Sequence, residues 1–286
     1  MGFISEIFGY LLNWLYNIFN NYGVAIIVFS VILRIILIPI TIKQQKGMRK
    51  SAELQEEMKE IQRKYKNNPE KLNQETIELY KREKMSPFTG CLSSILQIII
   101  ILSVFFLVSR PLTYMKKVDP QIIEDYTKEI QESGEAKTAY NEIAIIEQKG
   151  GEDPQVYINM EFLGLDLSKV PTQSLNDWRV YVIPGLYIIS SVLSIKLTMY
   201  TQKKEKQKKE IIVQDGEQKN AEPDPMEQMN KTMMYMMPIM SVTIAIVAPL
   251  GFALYWFISN ILIIIERLII NKIMAIKENK EGKENA

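Results

Sequence analysis

Residues 23–42 read GVAIIVFSVILRIILIPITI, twenty residues with a single charge, Arg34. A run of that length and composition crosses a hydrocarbon core about 30 Å thick as one helix. Arg34 lies eleven positions after Gly23 and nine before Lys43, so it sits about 13–17 Å from either end of that helix. The guanidinium is therefore near the bilayer midplane. Placing it there costs from about 3 kcal/mol on insertion scales to more than 10 in simulations, and its side chain is too short to reach the headgroups.

Working outward, three further apolar stretches appear. Residues 88–108 are 21 residues without a charge, and 180–199 are interrupted only by Lys196, whose stem can carry its ammonium to the headgroups. Between Lys231 and Glu266 lie 34 uncharged residues, a straight helix of roughly 50 Å. Pro249, Leu250 and Gly251 stand near its middle and turn the chain, so two spans are expected there. The reading is an all-α polytopic membrane protein with five transmembrane helices: 23–42, 88–108, 180–200, 232–248 and 252–270. No acidic residue is expected inside the other spans, so water must solvate Arg34.

Composition excludes much else. The chain holds no His and one Cys, which removes the commonest general base, the commonest metal ligand and any internal disulfide. A net charge of +1 gives no basis for sequence-independent or sequence-specific nucleic-acid binding. No carboxylate pair falls within a span, no phosphate-cradling loop is present, and neither an enzyme nor a cofactor is implied. The mean hydropathy of −0.03 conceals a segregated sequence, apolar runs alternating with charged ones.

Residues 1–22 lack a basic n-region and a small-residue cleavage site, so they do not read as a cleaved signal. Ile4, Ile7, Phe8, Leu11, Leu12, Leu15, Ile18 and Phe19 recur every three or four positions, the pattern of an amphipathic helix in the interface plane or of one packed on an outer domain. Residues 43–87 are rich in helix formers and broken at Asn67, Asn68 and Pro69, giving a charged helical hairpin with too few apolar residues for an independent core. Residues 109–179 form a long outer loop containing a smaller helical hairpin. Residues 201–231 read as a flexible linker, and 271–286 as a tail.

Orientation follows the basic residues. Residues 43–86 carry 12 basic and 8 acidic side chains, whereas 109–179 carry 8 basic and 13 acidic. Lys203, Lys204, Lys206, Lys208 and Lys209 follow the third span. The N-terminus is expected outside and the C-terminus in the cytoplasm. Polar side chains within the spans then complete the picture: Ser93, Ser94, Gln97, Ser259 and Asn260 join Arg34 in a positively charged aqueous cavity that ends partway across the membrane. Small hydroxyls also serve plain helix packing.

The run Ser86, Pro87, Phe88, Thr89, Gly90, Cys91 at the start of the second span, with the intramembrane Arg34 and the charged hairpin before it, resembles the YidC type of membrane protein insertase. Pro249, Gly251, Leu254, Tyr255, Trp256, Ser259 and Asn260 are a second match. The Met-rich approach to the fourth span, Met233, Met234, Met236, Met237, Pro238 and Met240, is a third. The resemblance implies a groove open to the cytoplasm and to lipid but closed outside. It further implies that Arg34 attracts acidic residues of a client, while the client's apolar segment slides along Ile98, Ile101, Phe105, Met233, Met237 and Met240. Nascent membrane proteins, the ribosome, the Sec translocon and membrane lipids are the implied partners, and the bacterial plasma membrane the implied location. The Met cluster reads equally as an adaptable client surface and as core filling. Departures are an outer loop of unusual length and no lipid-modifiable Cys near the N-terminus. A small anion transporter, with Arg34, Gln97 and Asn260 as its substrate site, is the alternative from another class.

Overall fold

A computed structural model describes residues 2–83, 89–133, 140–210, 236 and 239–284. The chain is mostly helical, in chain order α1 (Gly2–Phe19), α2 (Tyr22–Lys64), α3 (Pro69–Arg82), α4 (Thr89–Ser109), α5 (Pro120–Glu132), α6 (Asn141–Lys149), α7 (Val182–Glu210), α8 (239–247) and α9 (Leu250–Glu284). Two-residue strands β1 (Glu161–Phe162) and β2 (Leu165–Asp166) pair antiparallel. Three stretches are long and apolar enough to cross a membrane: Tyr22–Gln44, Trp178–Tyr200 and Leu250–Ile273, with a shorter apolar helix at Ile95–Ser109. These define a polytopic helical membrane protein.

The chain folds as two compact units, Leu33–Ser103 and Gly2–Ile32 with Val104–Ala286. In the first, α2 continues past the apolar run into the charged region as one 43-residue helix, and Pro39 lies inside it without ending it. Asn68 stops the chain and restarts it: its side chain accepts from Lys71 N–H and Pro69 opens α3, an arrangement that satisfies one orphan donor and wastes none on proline. The paired arms do build a core, contrary to the expectation from composition. Leu54, Met58 and Leu79 are buried, with Ile61 and Tyr80 against them. Ion pairs Arg82–Glu57 and Lys50–Glu83 flank it, and Tyr65 donates to Glu75 at 3.1 Å. Leu54 and Met58, four apart on α2, meet Leu79 of α3, and the polar rim around this contact is paired.

The second unit is more densely buried. Leu12, Tyr22, Ile26, Phe29, Leu107, Leu112, Met115, Ile145, Leu167, Leu250 and Phe252 are all fully enclosed. α1 packs on a π-helical turn at Leu112–Lys116. Gly9 permits that approach, since a Cβ there would lie 1.9 Å from the Tyr114 carbonyl oxygen. Ser5, Gly9, Leu12, Leu15 and Tyr16 form α1's inner face. Phe3, Ile7, Tyr10, Trp14 and Ile18 stay exposed on the other side. The helix thus has one face against protein and one apolar face outward.

The loop between α4 and α7 is stitched to the helix ends. Tyr22 N–H donates to Asn159 O at 3.0 Å, Leu250 N–H to Lys169 O at 2.9 Å and Gly251 N–H to Leu167 O at 3.0 Å, so strand-region carbonyls cap the orphan donors of α9. Val156, Ile158, Met160, Leu167 and Val170 are buried beneath these bonds. α5 and α6 pack on each other and are pinned by Lys149–Glu129 and by Tyr126 donating to Asp153.

Two expectations are corrected. The flexible linker does not begin at 201, because α7 remains helical to Glu210. Lys and Glu are good helix formers and extend a helix already nucleated in the apolar segment. An acidic residue does lie within a span: Glu266 falls inside the apolar window Leu250–Ile273 and is buried. Counting charges from Lys231 stopped at Glu266, but Leu268, Ile269 and Ile270 carry the apolar character past it.

Candidate functional site

Arg34 is half-buried, with its Nε enclosed by protein, on the stretch of α2 that belongs to the first unit. Leu33 beside it is buried, while Ile35 and Ile36 are each 60 % exposed. The helix thus presents bare isoleucine next to the half-buried guanidinium. Gln97, in the same unit, is half-buried on α4, with Ile98 exposed and Ile101 half-buried near it. Ser93 and Ser94 lie on α4, but their side chains fall outside the described residues. Met233 and Met237 fall outside them entirely, as do Ser86, Pro87 and Phe88 of the motif. Met240, like Met236, is exposed on the approach to α8.

Ser259 and Asn260 belong to the second unit, both half-buried on α9. The Asn260 amide donates to Ser190 Oγ at 2.9 Å and to Ser191 Oγ at 3.4 Å on α7. Ser190 spends its own hydroxyl hydrogen on Tyr187 O at 2.8 Å, leaving its lone pairs for the amide. One heptad further along both helices, Arg267 donates to Thr198 Oγ1. Sequence reasoning missed this α7–α9 ladder; its signal was the equal spacing of Ser191 to Thr198 and Asn260 to Arg267.

Phe105 packs inward as well as along α4. Its ring meets Phe252 at 5.2 Å, Phe106 at 6.0 Å and Tyr140 at 6.4 Å, all edge-on. Trp256 stacks on Tyr187 at 5.8 Å and lies 4.8 Å from Phe252. The aromatic residues of the second motif thus weld α4, α7 and α9. Gly251 sits where a Cβ would come within 3.3–3.6 Å of Tyr22, Val108 and Ile26, at the meeting of α2, α4 and α9.

Glu142 on α6 is a buried carboxyl of the loop between α4 and α7. It accepts from Thr113 N–H at 2.9 Å and from Thr113 Oγ1–H at 2.6 Å. Burial pushes its pKa up, opposed by those bonds and by Arg110. Among the described residues no cluster of His, Cys, Asp and Glu has metal-binding geometry.

Several helices long and apolar enough to span a membrane, one of them carrying a half-buried arginine beside exposed isoleucines, define a polytopic membrane protein. The family model for the 60Kd inner membrane protein matches residues 14–279, and the chain belongs to that family. It is similar to three proteins named membrane protein insertase YidC. The first, from Caldanaerobacter subterraneus subsp. tengcongensis, is 44% identical over 105 residues, 37% of this chain and 51% of that protein. The Treponema denticola protein is 28% identical over 274 residues, covering 96% of this chain and 37% of its own length. The Listeria innocua protein, named YidC 2, is 27% identical over 290 residues, 98% of this chain and 76% of its own. The chain therefore spans about a third to a half of the first two relatives.

Proposed function

We propose that the chain is a membrane protein insertase of the bacterial plasma membrane, acting on newly made membrane proteins. The observation that carries this reading is Arg34: a half-buried charge amid a lipid-facing apolar helix, with Gln97 half-buried in the same unit. A guanidinium at that position attracts negative charge, and an acidic side chain on a translocating segment has the matching chemistry. The polar segment then crosses less hydrocarbon, and the client's apolar segment drives insertion by leaving water. Ile98 and Ile101 offer an apolar surface for it in the same unit, with Gln97, Ser93 and Ser94 as the polar positions on that helix. In the second unit Met240, with Met233 and Met237 by sequence, and the polar Ser259 and Asn260 are the positions proposed to meet clients. Ribosome, Sec translocon and membrane lipids are the proposed partners.

Five spans and an N-out, C-in orientation are supported by the direction of α7 and α9. Ser190 and Thr198 pair with Asn260 and Arg267 in ascending order on both helices, so the two run parallel. Chain joining two parallel spans must recross the membrane, which gives α8 its role as the fourth span. Basic residues in the last turns of α7 and within 43–86 favour a cytoplasmic position for that end.

The test is insertion, in reconstituted vesicles, of a client with an acidic translocated tail. Arg34→Ala should lower insertion at least tenfold, the effect of about 1.4 kcal/mol on the barrier, and Arg34→Lys should retain most of it. Equal insertion by the Ala variant would overturn the electrostatic mechanism.

A further inference from the structure

The turn between β1 and β2 is built against its own residue preferences. Glu161 pairs with Asp166 and Phe162 with Leu165, leaving a two-residue connection, Leu163–Gly164. Both have positive φ, +53° and +76°, the backbone of a type I′ turn, whose first central position favours Asn, Asp or Gly. Leucine gains nothing in that conformation, and here it gains nothing from packing either: Leu163 is 86 % exposed. A strained, solvent-facing leucine is a conflict between local preference and fold of the kind that marks function.

Leu163 is not alone. Leu175 is 70 % exposed and Trp178 is 73 % exposed, and the 3-10 turn that carries Trp178 packs against β2. Arg179 follows Trp178 and is exposed. Tryptophan beside arginine is the pairing of the headgroup zone.

Three span ends fix the depth of this patch. Asn159 accepts from Tyr22, and Lys169 and Leu167 accept from Leu250 and Gly251. Tyr22 and Leu250 are the first residues of two membrane-crossing windows, and Trp178 is the first of the third. Phe162 also seats on Gly23, where a Cβ would meet its ring at 2.4 Å. A hairpin bound on both sides to the first residues of spans lies at the boundary between water and hydrocarbon, not out in the medium.

We infer that the β1–β2 hairpin tip, with Leu175 and Trp178, docks into the lipid leaflet at the Tyr22 end of the bundle, Leu163 entering the upper acyl chains and Trp178 the headgroups. The occupant is the bilayer itself, because the patch is continuous with the lipid-facing surfaces of the spans it caps. Anchored this way, the outer loop is held down over the helix ends that it bonds.

The experiment uses the full-length protein with Cys91→Ser in phosphatidylcholine–phosphatidylglycerol vesicles at low protein-to-lipid ratio, with an NBD fluorophore on Leu163→Cys. Expected is strong quenching by lipid spin-labelled high on the acyl chain and little by aqueous iodide, with a control probe at Glu152→Cys showing the reverse. Iodide quenching equal to the control overturns the inference. Shielding from both quenchers that grows with protein density assigns the patch to a second copy and equally overturns it. In a second variant, Leu163→Asn, the turn is relieved, so hydrogen exchange at β1 and β2 should slow or hold, while a probe at Leu175→Cys moves toward iodide. An unmoved probe denies Leu163 its anchoring role. None of these readouts involves client insertion, so their failure leaves the proposal for Arg34 standing.

Discussion

Asn260 poses the sharpest question about the site, because its amide is bonded to α7 while its polarity also suits a groove. The perturbations are Asn260→Leu, close in volume and unable to hydrogen-bond, and the pair Ser190→Ala with Ser191→Ala. The bonds at 2.9 and 3.4 Å run between half-buried and buried partners in the membrane interior. Interhelical bonds of this type measure about 0.6 kcal/mol on average and about 1.7 at most by double-mutant cycle. The structure gives one good bond and one long one, so the coupling is expected at about 1 kcal/mol, roughly fivefold in the unfolding equilibrium. Unfolding in bicelles by steric trapping reads it directly. Additive variants, with coupling below about 0.3 kcal/mol, would refute the ladder. If Asn260→Leu then also lowered client insertion with no loss of stability, Asn260 would belong to the groove instead.

Gly9→Ala should destabilise the second unit by about 1–3 kcal/mol, because the added carbon meets the Tyr114 carbonyl and α1 must lift off its turn; hydrogen exchange across residues 2–19 measures it, and unchanged protection would contradict the packing. Glu142→Gln should flatten a pH dependence. Burial raises the folded-state pKa of Glu142, so the folded protein holds more protons than the unfolded chain and stability falls as pH rises from the ordinary carboxylate range, about 4.3, through the raised value. Melting curves of wild type and variant across that window should converge at acid pH and separate as pH rises; parallel curves would show that Glu142 ionises without cost.

Apolar run length and the lone midplane charge were readable directly, because a bilayer imposes one length on every span and Arg34 breaks the pattern. The hairpin break was equally plain, since Asn68 and Pro69 carry a stop and a start in adjacent residues. What escaped was pairing between distant segments. Nothing local in Ser190, Ser191 or Asn260 says that they meet across 70 positions, and seryl groups on a helix fit several roles. Glu266 escaped because charge was read as the boundary of a span, when a buried carboxylate can lie within an apolar helix. The outer loop was opaque for a further reason. Its key bonds are backbone carbonyls of Asn159, Leu167 and Lys169, and carbonyls are the same in every sequence.

Stability is distributed unevenly between the two units, in a way that bears on how such a protein works. The second unit joins an aromatic weld, a polar ladder and a loop capped onto helix ends. Among the described residues, the first has three buried side chains in its hairpin, surface ion pairs worth at most about 1 kcal/mol each, and isoleucines on bare display beside Arg34. Local opening takes place where buried apolar contacts are few. On the reading proposed above, a client-handling region has to yield to many sequences, and yielding is cheap in a segment that has little packing to lose. The start of α9 is the opposite case, since the Leu250 and Gly251 N–H groups are held by the Lys169 and Leu167 carbonyls and opening there would orphan them.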